Sequence, residues 1–425
     1  MGHQPSGSVQ NPTASTGRLA DVPDNIEMVP VQIVSEDGVT TRGLLYRPKR
    51  SRASVGIHIM HPRADLYAHY SILPLALAGY TVLAQSTRWP NNDTHTIHER
   101  LLLDVAAGLR FLARQGCARL VLLGPAGGGS LAAFYQAQAT APVGSRLTET
   151  PAGDPFDLNR FDLPAADGLI VFGAHVGQGA VLAKMIDPSV VDEDDPLGVD
   201  PALDMYAPAN GFVTPPAPSR YAPEFLARYR AAQLARVERI DAKARALLAS
   251  QRRAAAIVAA LGDRASPVHM RAAIVEHVMI VYRTTADPDC VDLGIDPDDR
   301  RAGSYHGTRP DMENYAADGF SRVTTPRAWL STWSAVSSNA GTARNLAKVD
   351  VPLLIVHNAG DAETRLREIG ELFDAAASAD KQVHIVRGVD HSGFRIRPDG
   401  SAGERASEGV DVVRAWLEAR FPAGN

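Results

Sequence analysis

The chain is 425 residues long, 45% hydrophobic and 21% charged, an ordinary soluble composition with room for two or three domains. Its 43 basic and 48 acidic residues leave a formal charge of −5, which offers no electrostatic footprint for nucleic acid. Two cysteines, Cys117 and Cys290, are too few for a disulfide framework or a cysteine metal site, and no apolar run reaches the roughly 20 residues of a membrane span.

Residues 1–27 lack the apolar core of a signal peptide and read as a flexible, polar lead-in, so a cytoplasmic protein is expected. Regular patterning begins at Met28. "VPVQIVSEDGVTTRGLLYRP" reads as an antiparallel hairpin around Glu36-Asp37-Gly38. "SVGIHIMHP" is a short buried strand, "SILPLALAGY" a helix and "TVLAQS" another strand. "IHERLLLDVAAGLRFLARQG" carries apolar residues at helical spacing and stops at Gly116. "ARLVLLG" is a strand, "SLAAFYQAQA" a helix, and "DGLIVFG" a further strand. The alternation resumes late, with strand "VPLLIVHNAGD", helix "TRLREIGELFDAAAS", strand "KQVHIVRG" and a final helix "EGVDVVRAWLEARF". Strands alternating with helices predict a mostly parallel sheet covered on both faces. Between them, residues 175–345 lose the alternation. They open acidic and proline-rich, then turn strongly helical over 223–261, where Ala, Leu and Arg dominate. That stretch reads as an inserted helical domain whose long helix could dimerise, since two-fold dimers are the commonest closed assembly.

"LLGPAGGGS", residues 122–130, joins a strand to a helix through a glycine-rich turn. An elbow that exposes a nucleophile needs small residues two before and two after its apex. Gly124 and Gly128 hold those places, and the apex is Ala126. Gly127 follows, with an N–H at a helix start that suits a developing oxyanion. Neither a dinucleotide fingerprint nor a Walker loop fits "GPAGGGS". Nucleophile, acid and histidine follow one another in the chain of such hydrolases. Asp361, after the strand "PLLIVH", is the candidate acid. His391, in "VRGVDHSGF", is the candidate base. A second oxyanion donor is expected from the loop "HPRAD", where Pro62 has no N–H and Arg63 is the next donor. The Arg63 side chain is also a candidate to meet a polar or anionic substrate group.

On these motifs, together with "STRWPNND" leading into "HERLLLDVAAGLRFLARQG", the chain resembles the α/β-hydrolase superfamily, in particular serine esterase-like members with a large helical cap. The resemblance covers about 28–174 and 346–425. It implies a sheet of about eight strands, a cap over 175–345, and hydrolysis of a carboxylic ester or lactone of moderate size through an acyl-enzyme, with no cofactor or metal and a small ester-like molecule as the partner. In such proteins the apex is normally serine, so Ala126 departs from the pattern. Three accounts of it stand: a nucleophile-to-alanine replacement that traps substrate, a ligand-binding pseudoenzyme, or a mechanism without a nucleophile that uses His391 as base. The joint presence of Asp361, His391 and the glycines favours the first. An amidase or C–C bond hydrolase would use the same residues.

His95, His98 and Glu99 lack a metal-binding pattern and read as helix-start and surface residues. His58 and His61 flank the strand before the oxyanion loop and read as satisfying local backbone groups. Trp329 and Trp333 are four apart and would share a helix face, as core or as lining of the pocket mouth. Tyr305, His306 and Tyr315 are weaker candidates for the same lining.

Overall fold

The computed structural model describes residues 21–49, 54–304, 307–317, 319–397 and 401–423. Tyr305, His306 and most of the lead-in therefore lie outside the described residues. The alternating apolar segments form an eight-stranded sheet of β1 (Ile26–Val34), β2 (Thr40–Pro48), β3 (Val55–Ile59), β4 (Thr81–Gln85), β5 (Arg119–Pro125), β6 (Gly168–Phe172), β7 (Leu353–Asn358) and β8 (Lys381–Val386). Their order in space is β1-β2-β4-β3-β5-β6-β7-β8. Only β2 runs against its neighbours; every other pairing is parallel. This is the α/β-hydrolase sheet. Every residue of β3, β4, β6 and β7 is buried, as expected for central strands with helices on both faces. One face carries the helices His98–Arg114 and Gly127–Thr140, through Leu101, Leu102, Val105, Leu109, Leu131 and Phe134. The other carries Ile72–Leu77 and Glu408–Arg420, through Leu75, Val413, Trp416 and Leu417.

The chain leaves the sheet after β6 and returns at β7. The excursion is built on one 39-residue helix, Pro223–Leu261. Phe225, Tyr229, Gln233, Val237, Ile240, Ala244 and Leu248 recur at three- and four-residue steps and form its buried stripe. Val237, Ile240, Ala244 and Leu248 pack with Val181, Leu182, Ile186, Trp329, Leu330 and Trp333 into a core separate from those of the sheet. Less of the excursion is helical than its composition suggests. In the acidic run, Asp192, Asp195, Asp200 and Asp204 each accept a hydrogen bond from the backbone N–H two residues on. Such local bonds compete with helix formation and hold the segment in turns.

The excursion docks on the loop after β4. Thr325 Oγ1 donates to the Thr94 carbonyl and Thr332 Oγ1 to that of Thr96, both at 2.8 Å. Ser331 Oγ donates to the buried Glu99 carboxylate at 2.6 Å and accepts the His98 N–H at 2.9 Å. His98 and Glu99, expected near the surface, are wholly buried here, because this docking covers the first turn of their helix. His95 stays largely exposed.

Asp241, on the long helix, holds the returning segment. Its carboxylate accepts from Trp329 Nε1 at 2.6 Å, Ser334 Oγ at 2.9 Å and Ser337 Oγ at 2.5 Å. Replacing it by alanine orphans buried donors, each costing about 1–3 kcal/mol. Asp241→Ala is expected to destabilise the protein by at least about 2 kcal/mol in urea unfolding, with tryptophan fluorescence reporting the loss first; an unchanged midpoint would contradict this role.

Candidate active site

The elbow after β5 is strained. Ala126 has φ +48° and ψ −124°, a conformation that L residues with a Cβ rarely adopt and that costs about 1–3 kcal/mol. The turn closes because its flanks are bare. A Cβ on Gly124 would lie 2.4 Å from the Gly128 carbonyl oxygen, and one on Gly128 would lie 2.3 Å from that of Met60. The Ala126 N–H is tied to the Phe172 carbonyl of β6 at 3.1 Å. Gly127 opens the following helix, where the first N–H groups have no partner within the helix.

Asp361 and His391 lie beyond the ends of β7 and β8. Asp361 is wholly buried, and its Oδ1 accepts the N–H groups of Glu363 at 2.7 Å and Thr364 at 3.3 Å. Its Oδ2 is 2.7 Å from His391 Nδ1. The turn carrying His391 is held by Asp390, whose Oδ1 accepts the Phe394 N–H at 2.8 Å and whose carbonyl accepts from Asn358 Nδ2 at 2.9 Å. Burial by itself would raise the Asp361 carboxyl. The charge and hydrogen bond of His391 outweigh it and hold the group at about 2. Burial would lower His391, and the Asp361 and Glu363 carboxylates reverse this and lift it to about 9.

Residues beyond those read from the sequence converge here. Glu363, also buried, reaches from the Asp361 turn with Oε2 3.7 Å from His391 Nε2 and Oε1 3.8 Å from His175 Nε2. Burial, with the Asp361 charge added, pushes it up to about 7. His175 and Gln178 follow β6, and His61 follows β3. A Cβ on Gly127 would meet Gln178 Nε2 at 2.6 Å, His61 Nε2 at 2.8 Å and His175 Nε2 at 3.2 Å. A chain of close approaches thus runs from Gly127 through His175 and Glu363 to His391 and Asp361. One signal in the sequence pointed this way: each of these residues lies just past the carboxyl end of a parallel strand, where open α/β sheets bind ligands.

Arg63 has other partners. Its N–H, expected to face an oxyanion, donates to His61 Nδ1 at 3.0 Å. Its guanidinium, expected to greet substrate, is clamped by both Asp93 oxygens at 2.6 and 2.7 Å and lies 4.8 Å from the Trp333 ring centre and 5.5 Å from that of Phe320. Trp329 and Trp333 occupy a single π-helical turn and are wholly buried, so both belong to the core of the excursion. Tyr315 is half exposed and receives a hydrogen bond from Arg283 at 3.3 Å. His58 is paired with Gln85 at 2.9 Å. Among the described residues, no group of three or more His, Cys, Asp or Glu side chains is placed to hold a metal ion, and no helix is long and apolar enough to cross a membrane.

No model of a known family matches the chain, and no curated relative matches its sequence. Among solved structures, the chain is similar to the esterase domain of a Rhodothermus marinus protein, at 14% identity over 92% of this chain and 98% of that one, with a TM-score of 0.42. A Pyrococcus furiosus esterase gives 11% identity over 93% of each chain and 0.42. A hypothetical protein from Pseudomonas aeruginosa gives 14% over 99% of this chain and 100% of that one, and 0.46.

Two outcomes follow from the site. Glycine at the apex removes the backbone strain, and its greater freedom in the unfolded chain takes back about 0.5–1 kcal/mol of it. Ala126→Gly is therefore expected to raise stability by roughly 1 kcal/mol in urea unfolding; a loss of stability would show the turn to be relaxed. The second concerns pH. Between about pH 4.5 and about 7, the folded protein keeps on Glu363 a proton that the unfolded chain has released. Rising pH therefore erodes stability across that window, by at most about 1.4 kcal/mol per pH unit for one proton. Glu363→Gln is expected to flatten this slope in denaturation series taken between those limits, and an unaltered slope would place the proton elsewhere.

Proposed function

We propose that the site is that of a serine-type hydrolase acting on a carboxylic ester or lactone of moderate size, with its nucleophile position filled by alanine. The observation that carries this reading is the strained apex at Ala126 together with the Asp361–His391 pair. An apex glycine would hold the turn without strain, so a Cβ there is what a displayed side chain leaves behind. With a hydroxyl on that Cβ, His391 Nε2 takes its proton as the oxygen adds to the substrate carbonyl. Asp361 holds the imidazole by Nδ1–H and stabilises the imidazolium that forms. His391 then returns the proton to the leaving alcohol, and water repeats the sequence on the acyl-enzyme. Glu363 Oε2 stands 3.7 Å from Nε2, a carboxyl close enough to feel its charge but not hydrogen-bonded to it. The excursion between β6 and β7 acts as a cap, covering the approach through its docking on Thr94, Thr96 and Glu99. An amide or C–C bond would be cleaved by the same groups.

A second reading, ligand binding without turnover, draws support from His391. Lifted to about 9, it is cationic at neutral pH and suited to pairing with an anion rather than to taking a proton.

The two readings part in one experiment. The chain with Ala126 is expected to show no burst with an activated aryl ester, because no acyl-enzyme forms. Ala126→Ser is expected to hydrolyse the ester and to gain the acyl mass in intact-protein mass spectrometry. Adding His391→Ala should remove turnover again; losses on the order of a million-fold accompany removal of a member of such a catalytic unit. A well-folded Ala126→Ser protein that never acylates across aryl esters and lactones would leave the binding reading in its place.

A further inference from the structure

His61, His175 and Gln178 are each more than nine-tenths buried, and their Nε2 atoms converge beside Gly127. The tautomers of both histidines are set by the backbone. His61 Nδ1 accepts the N–H groups of Arg63 at 3.0 Å and Ala64 at 2.8 Å. His175 Nδ1 accepts that of Gly177 at 3.1 Å. A ring nitrogen that accepts leaves the proton on the other, so both rings present Nε2–H toward Gly127. Burial keeps both neutral, His175 down to about 3 and His61 well below its ordinary range. Gln178 adds its amide Nε2, while its Oε1 is buried without a partner. Among the described residues none of the three Nε2 atoms has a hydrogen-bond partner; the Glu363 carboxyl stands off at 3.8 Å from His175 Nε2. They are not among the buried unpartnered atoms either, so they open onto accessible space. Three pre-oriented donors at one point, beside a free helix N-terminus, are the arrangement that a negative oxygen requires. The glycine at 127 belongs to the same device, since any Cβ there would fill the space in front of the donors.

We infer that His61, His175 and Gln178 form a side-chain anion hole at the elbow, which receives the oxyanion of a tetrahedral intermediate or the carboxylate of the product acid. The inference rests on the hydrolase reading for the intermediate, and stands apart from it for a bound anion. Arg63 and Ala64, on the loop from which a backbone donor was expected, act one step back: their N–H groups hold the His61 ring. When the added hydroxyl oxygen bonds to the carbonyl carbon, the carbonyl π pair moves onto oxygen and the three N–H groups accept that charge. The pair returns when the leaving alcohol departs with the proton from His391.

Gln178→Glu tests this, because it keeps the shape and exchanges a donor for an acceptor. The probe for the static anion is n-butylphosphonate, titrated calorimetrically into the chain with Ala126, where no nucleophile is needed. Binding is expected, and Gln178→Glu should weaken it at least tenfold. His175→Ala, checked for an unchanged unfolding midpoint, should weaken it too and guards against a folding defect in the first variant. In the Ala126→Ser protein, Gln178→Glu should lower kcat by about 10²–10³, the usual cost of one oxyanion donor, with KM little changed. No phosphonate binding, or binding indifferent to both variants, overturns the anion hole. Phosphonate binding that depends on Gln178 in a protein whose Ala126→Ser form never hydrolyses keeps the anion hole and discards the hydrolase. Hydrolysis with kcat unchanged by Gln178→Glu keeps the hydrolase and discards the hole.

Discussion

The site depends on one close approach of backbone to backbone, that of Gly124 against Gly128. Where β5 ends, the chain reverses so sharply that a Cβ at 124 would stand 2.4 Å from the carbonyl oxygen of residue 128. No side chain fits between them, and the strain falls on Ala126, lifted out of the sheet with positive φ. The turn therefore positions two things at once. It displays the Cβ of residue 126, and it aims the first N–H groups of a 14-residue helix at the space in front of it. The strain persists because the surrounding structure over-determines it: the strand is paired on both sides, and the Ala126 N–H is bound to β6.

Around that turn the protein buries ionisable groups and gives each a different charge. Asp361 remains anionic because two backbone N–H groups and His391 face its oxygens. Among the described residues no backbone N–H donates to the carboxylate of Glu363, two residues on, and burial drives it toward the neutral acid. His61 and His175 are neutral because burial strips solvent from their rings and backbone N–H groups occupy Nδ1. The result is a small volume with one fixed anion, one cation, one carboxyl poised near neutrality and two neutral donors. Environments that push like groups apart in this way distinguish acid, base and electrostatic roles.

The excursion between β6 and β7 is tied to the sheet domain by directional contacts. Its contacts with the core use Thr and Ser hydroxyls on backbone carbonyls and on buried Glu99, so the interface is directional as well as apolar. Arg63 joins the two bodies: its backbone supports His61 below, and its guanidinium sits among Asp93, Trp333 and Phe320 above. The excursion and the His61 ring are thereby linked through one residue, whose backbone N–H meets His61 and whose guanidinium meets Trp333 and Phe320.

Much of the fold was legible in the chain, because its signals are local. A buried parallel strand must be a short apolar run, a covering helix must repeat its apolar residues every three or four positions, and a tight elbow must have glycines at fixed offsets. That Asp361 and His391 would lie near one another was legible for a related reason, each following a strand whose carboxyl end was predictable. The helical character of 223–261 was visible, whereas the turns at 187–222 depended on aspartates bonding to nearby backbone, which composition hides. The role of Arg63 was misjudged because a loop's backbone N–H can be assigned only once its acceptor is known, and that acceptor, His61 Nδ1, depends on how the loop folds back. Glu363, His175 and Gln178 could not be joined by reading along the chain. They come from the ends of β6 and β7, strands adjacent in the sheet but far apart in sequence, and only the packing of those ends sets Gln178 and His175 beside Gly127 and Glu363 Oε1 3.8 Å from His175 Nε2.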